Sequence, residues 1–191
     1  MIYLIWAVAA IITVIILLLF IHILSIVISL PKTGGAMFCT THKSKIDAIL
    51  DAFPMDSGQQ LIDLGCGDGR FLRAAVSRYG VKGTGYEINP LAGMLARIRT
   101  VGLKDVTIYG RDFWNVPFKD ADFIFCYLFP DLMAKLADKA GREMKEGARL
   151  ISCNFELPGW VPESILRSEE GSNNDPIFVY KVIRDSRDYL N

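Results

Sequence analysis

Residues 61–71 read LIDLGCGDGRF: a short apolar run broken by one acid, three glycines two apart, and the first residues of a helical pattern. A strand that empties through glycines into a helix turns backbone N–H groups toward a ligand, and those groups favour an anion. Asp63 stands at the lip of that turn and would repel a pyrophosphate. The ligand that suits both features carries a positive group beside its anionic one. The spacing also departs from the GxGxxG of dinucleotide sites, since GCGDGR is GxGxG.

Outward from this turn, apolar runs alternate with helical patterns. Ser44 to Phe53 places Ile46, Ile49, Leu50 and Phe53 on one helical face, and Gln60 to Leu64 is a buried strand. Arg70 to Tyr79 is a helix with Phe71, Leu72, Ala75, Val76 and Tyr79 inward. GTGYEI from Gly83 is a second strand; Asn89 caps the next helix, Pro90 fits its first turn, and Leu91, Met94, Leu95 and Ile98 give it an inward apolar side. VTIYGRD and ADFIFCYLF are the third and fourth strands. After Pro130 a helix runs to about Lys145, with Asp131 as its expected N-cap, and ARLISCNF is the fifth strand. SILRSEE and IFVYKVI, joined by GSNNDP, form a terminal hairpin. The implied fold is α/β, a Rossmann-like, doubly wound, mostly parallel sheet.

In such a sheet the ligand lies at the carboxyl ends of the strands. The residues there are Asp63 with Gly65, Cys66, Gly67 and Gly69, then Glu87 and Ile88, then Asp112 and Phe113, then Cys126 and Tyr127. The glycines admit a carboxylate, Asp63 holds an ammonium, Glu87 accepts from two ribose hydroxyls, and Asp112 accepts from an adenine amine with Phe113 or Trp114 against the ring. That set fits S-adenosylmethionine better than NAD. Cys66 and Cys126 are small buried residues whose contribution is mainly through backbone.

Before all this lies a segment of another kind. From Met1 to Leu30 there is no Asp, Glu, Lys or Arg, and this segment lifts the mean hydropathy of the 191 residues to +0.29. As a helix it extends about 43 Å, more than a hydrocarbon core of about 30 Å. It lacks the basic start and the cleavage site of a secretory signal, so it is expected to be an uncleaved transmembrane anchor, with residues 31–36 as hinge and residues 37–191 as the domain. His22 within it is expected to be a neutral imidazole near an interface. Lys32, Lys43 and Lys45 follow the span and no basic residue precedes it, which places the domain on the cytoplasmic side. All 21 basic and 21 acidic residues lie after Pro31, so the domain is neutral overall and offers no broad surface to nucleic acid. The four cysteines form no CxxC pair, so neither a zinc site nor a disulfide framework is expected.

IDLGCGDGRF, GYEINP and RDFW resemble the first three motifs of class I S-adenosylmethionine-dependent methyltransferases. Together with the N-terminal anchor, FCTTHKSKIDAIL, FPDLM and ISCNFELPGW, they resemble more narrowly the membrane-anchored protein-lysine methyltransferases of mitochondria, which act on the ATP synthase c-subunit and the adenine nucleotide translocase. The resemblance implies a protein lysine at or near the membrane as methyl acceptor. Phe38, Thr40, Tyr127, Phe129, Pro130, Asp131 and Trp160 are then the candidates for the acceptor channel, since aromatic faces hold a lysine stem and its cation. Phe38-Cys39-Thr40 departs from the family in lacking a proline after the aromatic residue. His42 fits a solvated loop residue better than a base. Competing readings are a methyltransferase for a lipid-like small molecule, a binding module without turnover, and an NAD-dependent oxidoreductase.

Overall fold

The computed structural model describes residues 1–33, 40–167 and 175–183. Phe38, Cys39 and the last hinge positions lie outside the described residues, as does the side chain of His22.

The chain opens with helix α1, Ile2–Thr33, which continues three residues beyond the expected end at Leu30. Its Ile2–Ser25 stretch has a mean hydropathy of 3.2, is long and apolar enough to cross a membrane, and is exposed along its length up to the buried Ser25. Next come α2 (Lys43–Ala52), β1 (Gln60–Leu64), α3 (Arg70–Tyr79), β2 (Lys82–Tyr86), α4 (Pro90–Arg99) and β3 (Val106–Tyr109). A short 3-10 turn at Phe113–Asn115 leads to β4 (Phe123–Cys126), α5 (Pro130–Glu143), β5 (Arg149–Cys153), β6 (Ser164–Leu166) and β7 (Ile177–Lys181).

The seven strands lie in the order β3-β2-β1-β4-β5-β7-β6. β1 to β5 are mutually parallel, and β7 runs antiparallel to both β5 and β6. The terminal hairpin therefore exists with its second strand inserted next to β5. Order reverses between β1 and β4, which puts the switch point at the end of Leu64, directly before the glycine turn.

Each face of the sheet has its own core. α2 and α3 cover one, where Ile49, Leu50, Phe71, Leu72 and Ala75 meet Phe123, Phe125 and Ile151. α5 covers the other with Met133, Leu136 and Ala140 against Ile124, Leu150 and Tyr180. Phe71 stacks on Phe125 with ring centroids 3.8 Å apart. A fully buried side chain of this size stabilises the fold by about 1.5–3 kcal/mol, so the first turn after the glycines is pinned to β4.

Two helix expectations are corrected. α4 turns Ala92, Gly93 and Ala96 inward, while Met94 and Ile98 are 50% and 60% exposed. The reason is proximity: a Cβ on Gly69 would lie 3.4 Å from the Ala96 Cβ, so only a face of small residues lets α4 approach the glycine turn. Asp131 is not the N-cap of α5; that place belongs to Phe129, and Asp131 sits in the first turn, where its charge still complements the helix dipole.

Candidate active site

Gly65, Gly67 and Gly69 take φ of 75°, 55° and 73°, left-handed values that other residues adopt at a cost. The turn is drawn onto β2: Gly65 and Cys66 both donate their N–H to the Tyr86 carbonyl, at 2.9 and 3.1 Å. This close approach needs Gly85, because a Cβ there would sit 2.6 Å from Cys66 Sγ and 2.8 Å from Leu72 Cδ1. Beside the turn is a hollow of ≈ 290 Å³ lined by Asp63, Gly65, Cys66, Gly67, Asp68 and Arg70, with Thr40, Thr41, Phe71, Phe125 and Tyr127 completing its wall.

Two carboxylates, Asp63 and Asp68, line this hollow and a third, Glu87, is bonded to Gly67 of its turn; each is treated differently. Asp63, 2% exposed, has an Oδ1 with no hydrogen-bond partner. Burial pushes its carboxyl well above the ordinary range, and the neighbouring charges of Glu87 and Asp68 push it further. Glu87 follows β2; its Oε2 accepts from Gly67 N at 2.9 Å and its Oε1 from Asn89 N at 2.7 Å. Burial raises its pKa more than those N–H donors lower it. Asp68 is buried too, but it accepts from Arg70 Nε at 2.9 Å and Arg70 Nη2 at 2.9 Å, and it pairs with Arg99 of α4. Burial alone would raise its pKa; the two arginines outweigh it and hold the carboxyl below the ordinary range.

An unpartnered buried carboxylate is costly unless a cation completes it. Asp63 thus fits the ammonium of a zwitterionic ligand, and the free lone pairs of Glu87 fit hydroxyl donors beside it. The residues present match the amino-acid and ribose portions of S-adenosylmethionine. They do not match a diphosphate, which three carboxylates would repel.

The remaining expected residues are distributed as follows. Gly69 is the N-cap of α3, and Ile88 follows Glu87 past the end of β2. Asp112 is half-buried and its Oδ1 accepts from Trp114 N at 3.0 Å, which caps the 3-10 turn and fixes Phe113 and Trp114 at the end of β3. Cys126 is fully buried, with its thiol pushed up to about 12 by burial, and has only backbone to offer a ligand. Burial, Asp63 and Glu87 also push the Cys66 thiol far up, so neither cysteine is a nucleophile. Thr40 and Tyr127 reach the hollow; Phe129, Pro130 and Asp131 form the start of α5 at the neighbouring strand end. Trp160 instead packs edge-on against Tyr180, with centroids 6.0 Å apart.

Three polar residues went unforeseen. Asp68 carries no role in the sequence reading, though its position between two glycines marks a confined site. Lys45 of α2 is 1% exposed; its Nζ donates to Asn154 Oδ1 at 2.6 Å and lies 5.5 Å from the Tyr127 ring centroid. Asn154 has φ 73° and donates from Nδ2 to the Tyr127 hydroxyl at 2.9 Å. Lys45 and Asn154 therefore set the orientation of Tyr127. The available signal was Lys45 standing four residues before Ile49, on the apolar face of its helix.

α1 also reaches this edge. Ser25 Oγ donates to Asn89 Oδ1 at 2.7 Å and accepts from Leu91 N at 3.2 Å, two residues from Glu87. Asn89 Oδ1 itself accepts from Leu91 N and Ala92 N at 3.0 and 3.1 Å, the expected cap of α4.

Comparison with known proteins gives a consistent picture. The family model "ANTKMT methyltransferase domain" matches residues 63–164. A protein-lysine N-methyltransferase of Saccharolobus islandicus is 28% identical over 149 residues, which is 76% of this chain and 92% of that protein. The adenine nucleotide translocase lysine N-methyltransferase of Mus musculus is 34% identical over 127 residues, 64% of this chain and 53% of that protein. The chain thus aligns with almost all of the archaeal relative and about half of the mouse one. Among solved structures, an RNA methyltransferase of Salinibacter ruber with S-adenosyl-L-homocysteine superposes with a TM-score of 0.70 at 25% identity, covering 77% of this chain and 95% of that one.

Proposed function

The chain belongs to the ANTKMT methyltransferase domain family, and from that premise we propose that it is a membrane-anchored protein-lysine N-methyltransferase acting on a membrane-associated protein. It is an S-adenosylmethionine-dependent methyltransferase, and the cofactor supplies an activated methyl group on a sulfonium. Such a donor asks little of the protein beyond holding the acceptor in line, dry and close to the methyl carbon. Asp63 and the glycine turn hold the amino-acid end, Glu87 the ribose, and Asp112 with Phe113 the adenine. Tyr127, Pro130 and Asp131 border the acceptor side, where an aromatic wall receives the lysine stem. The lysine must arrive neutral although its ordinary pKa is about 10.4, and desolvation in a closed channel favours that form.

The observation that carries this reading is the Ser25–Asn89 contact, which ties a helix long and apolar enough to cross a membrane to the residue two positions past the ribose acid. An anchor joined there keeps the strand ends, and therefore the acceptor channel, at the bilayer surface. Restricting an enzyme to that plane raises its effective concentration toward membrane-held lysines. The lysines that follow the span support a catalytic domain on the cytoplasmic side.

Incubating membranes with the full chain and methyl-labelled S-adenosylmethionine, then separating protein, lipid and RNA, tests the acceptor. Label on lysine of a membrane protein is expected. Label confined to the organic phase would transfer the assignment to a lipid-like acceptor, and label on RNA would remove both.

A further inference from the structure

α4 carries its large apolar residues on the outside, and that needs an explanation. Leu91, Met94, Ile98 and Val101 are spaced three, four and three apart, so they form one stripe along the helix and its C-terminal extension. Met94, Ile98 and Val101 are 50%, 60% and 81% exposed. Among the described residues, no other element of the soluble domain leaves two large apolar side chains in water.

Two further observations indicate what covers this stripe. First, α4 adjoins the only candidate span among the described residues: Ile2–Ser25 is long and apolar enough to cross a membrane, and Ser25 is hydrogen-bonded into the first turn of α4. The stripe therefore begins beside a stretch that has already covered the thickness of a hydrocarbon core. Second, residues 90–111 hold Arg97, Arg99, Lys104 and Arg111 against the single acid Asp105, in a chain whose 21 bases and 21 acids balance overall. Arg99 is occupied by Asp68, whereas Arg97, Lys104 and Arg111 are exposed, Arg97 donating to the Ile108 carbonyl at 3.3 Å and Arg111 lying over the Tyr109 ring. A short helix with apolar residues outward, basic residues along its border and a membrane span at its N-terminus has the make-up of a segment lying in the headgroup region.

We propose that α4 is an interfacial helix, with Met94, Ile98 and Val101 inserted into the bilayer that α1 crosses and Arg97, Lys104 and Arg111 on anionic headgroups. This rests on reading α1 as a membrane anchor. Its consequence is orientation. α1 alone is a tether about which the domain could swing, whereas α1 and α4 together fix two points and turn the strand ends toward the membrane. Since α4 grips the glycine turn through Arg99 and Asp68, and follows Glu87 directly, the seated helix is continuous with the cofactor site.

The full-length chain, reconstituted into vesicles of phosphatidylcholine and phosphatidylglycerol containing lipids brominated at shallow acyl carbons, provides the test. I98W and M94W each add a tryptophan on the stripe. D138W adds one on α5, which covers the opposite face of the sheet. After subtraction of the parent signal, I98W and M94W should be blue-shifted and quenched several-fold more than D138W, at a depth of about 5–10 Å into the headgroup and acyl boundary. Replacing phosphatidylglycerol with phosphatidylcholine should weaken that quenching. Binding of S-adenosylhomocysteine serves as the check on folding, and either tryptophan variant alone suffices. If the protein resists alkaline carbonate extraction yet I98W and M94W are quenched no more than D138W, the interfacial helix is overturned and the anchor stands. Release of the parent by carbonate removes the anchor, and the proposal falls with it.

Discussion

Asp63 and Asp68 are five residues apart, border the same hollow and are almost equally buried, yet they are opposites. Asp68 has two arginines, and its carboxyl is held below the ordinary range. Asp63 has an oxygen with no partner and a carboxyl pushed far above that range. A protein stabilises itself by completing buried charges, so the acid left incomplete is the one reserved for something that comes and goes. Glu87 is intermediate: its oxygens are held by backbone N–H groups, but no cation neutralises it.

The largest effect should separate the first two. D63A is expected to weaken S-adenosylhomocysteine binding by about 2–5 kcal/mol, the cost of deleting one partner of a buried charge pair, measured by calorimetry. The same variant without ligand should melt higher than the parent, because it loses an uncompensated buried acid. A lower melting temperature would show that Asp63 is structural and erase the contrast. E87Q keeps the shape but opposes its amide to N–H donors, and should cost about 1.5–3 kcal/mol in the same titration. D68N should act mainly on the unliganded fold, lowering stability by about 1–3 kcal/mol in denaturant melts because its arginines are only partly buried.

The smallest effect is in pH. A raised acid binds more protons folded than unfolded, so the stability of the unliganded protein should fall as pH climbs from the ordinary carboxylate range through the raised value of Asp63. A bound ammonium favours the ionised form, so affinity for S-adenosylhomocysteine should rise over that same window, by up to about tenfold per pH unit. In D63N the rise should be reduced to the contribution of Glu87. An equal slope in parent and D63N would assign the titration elsewhere.

How much of this was legible in the sequence depended on range. β1 at Gln60–Leu64 and α3 at Arg70–Tyr79 have the bounds expected, because burial period and glycine punctuation are local signals. Asp63, Glu87 and Asp112 fall at or just past the ends of β1, β2 and β3 because parallel topology brings strand ends together whatever the loops do. The side of α4 was misjudged: its periodicity was visible, but the face it turns inward was decided by Gly69 and Ala96, which are distant in sequence and meet only in the fold. Lys45, Asn154 and Tyr127 were missed as a group for the same reason. Nothing near Lys45 in the chain announces an asparagine on β5's far end, and a lone lysine among apolar neighbours resembles a surface residue.

One feature of the loop's footing constrains its history. At Gly85 there is no room for even a methyl group because the Cys66 sulfur occupies that space, and Cys66 sits there because its N–H is drawn to the strand carrying Gly85. Leu72 closes the same space from the helix side, so a side chain can enter at Gly85 only if both neighbours give way. The floor of the cofactor turn is therefore a three-residue lock, and no single substitution opens it.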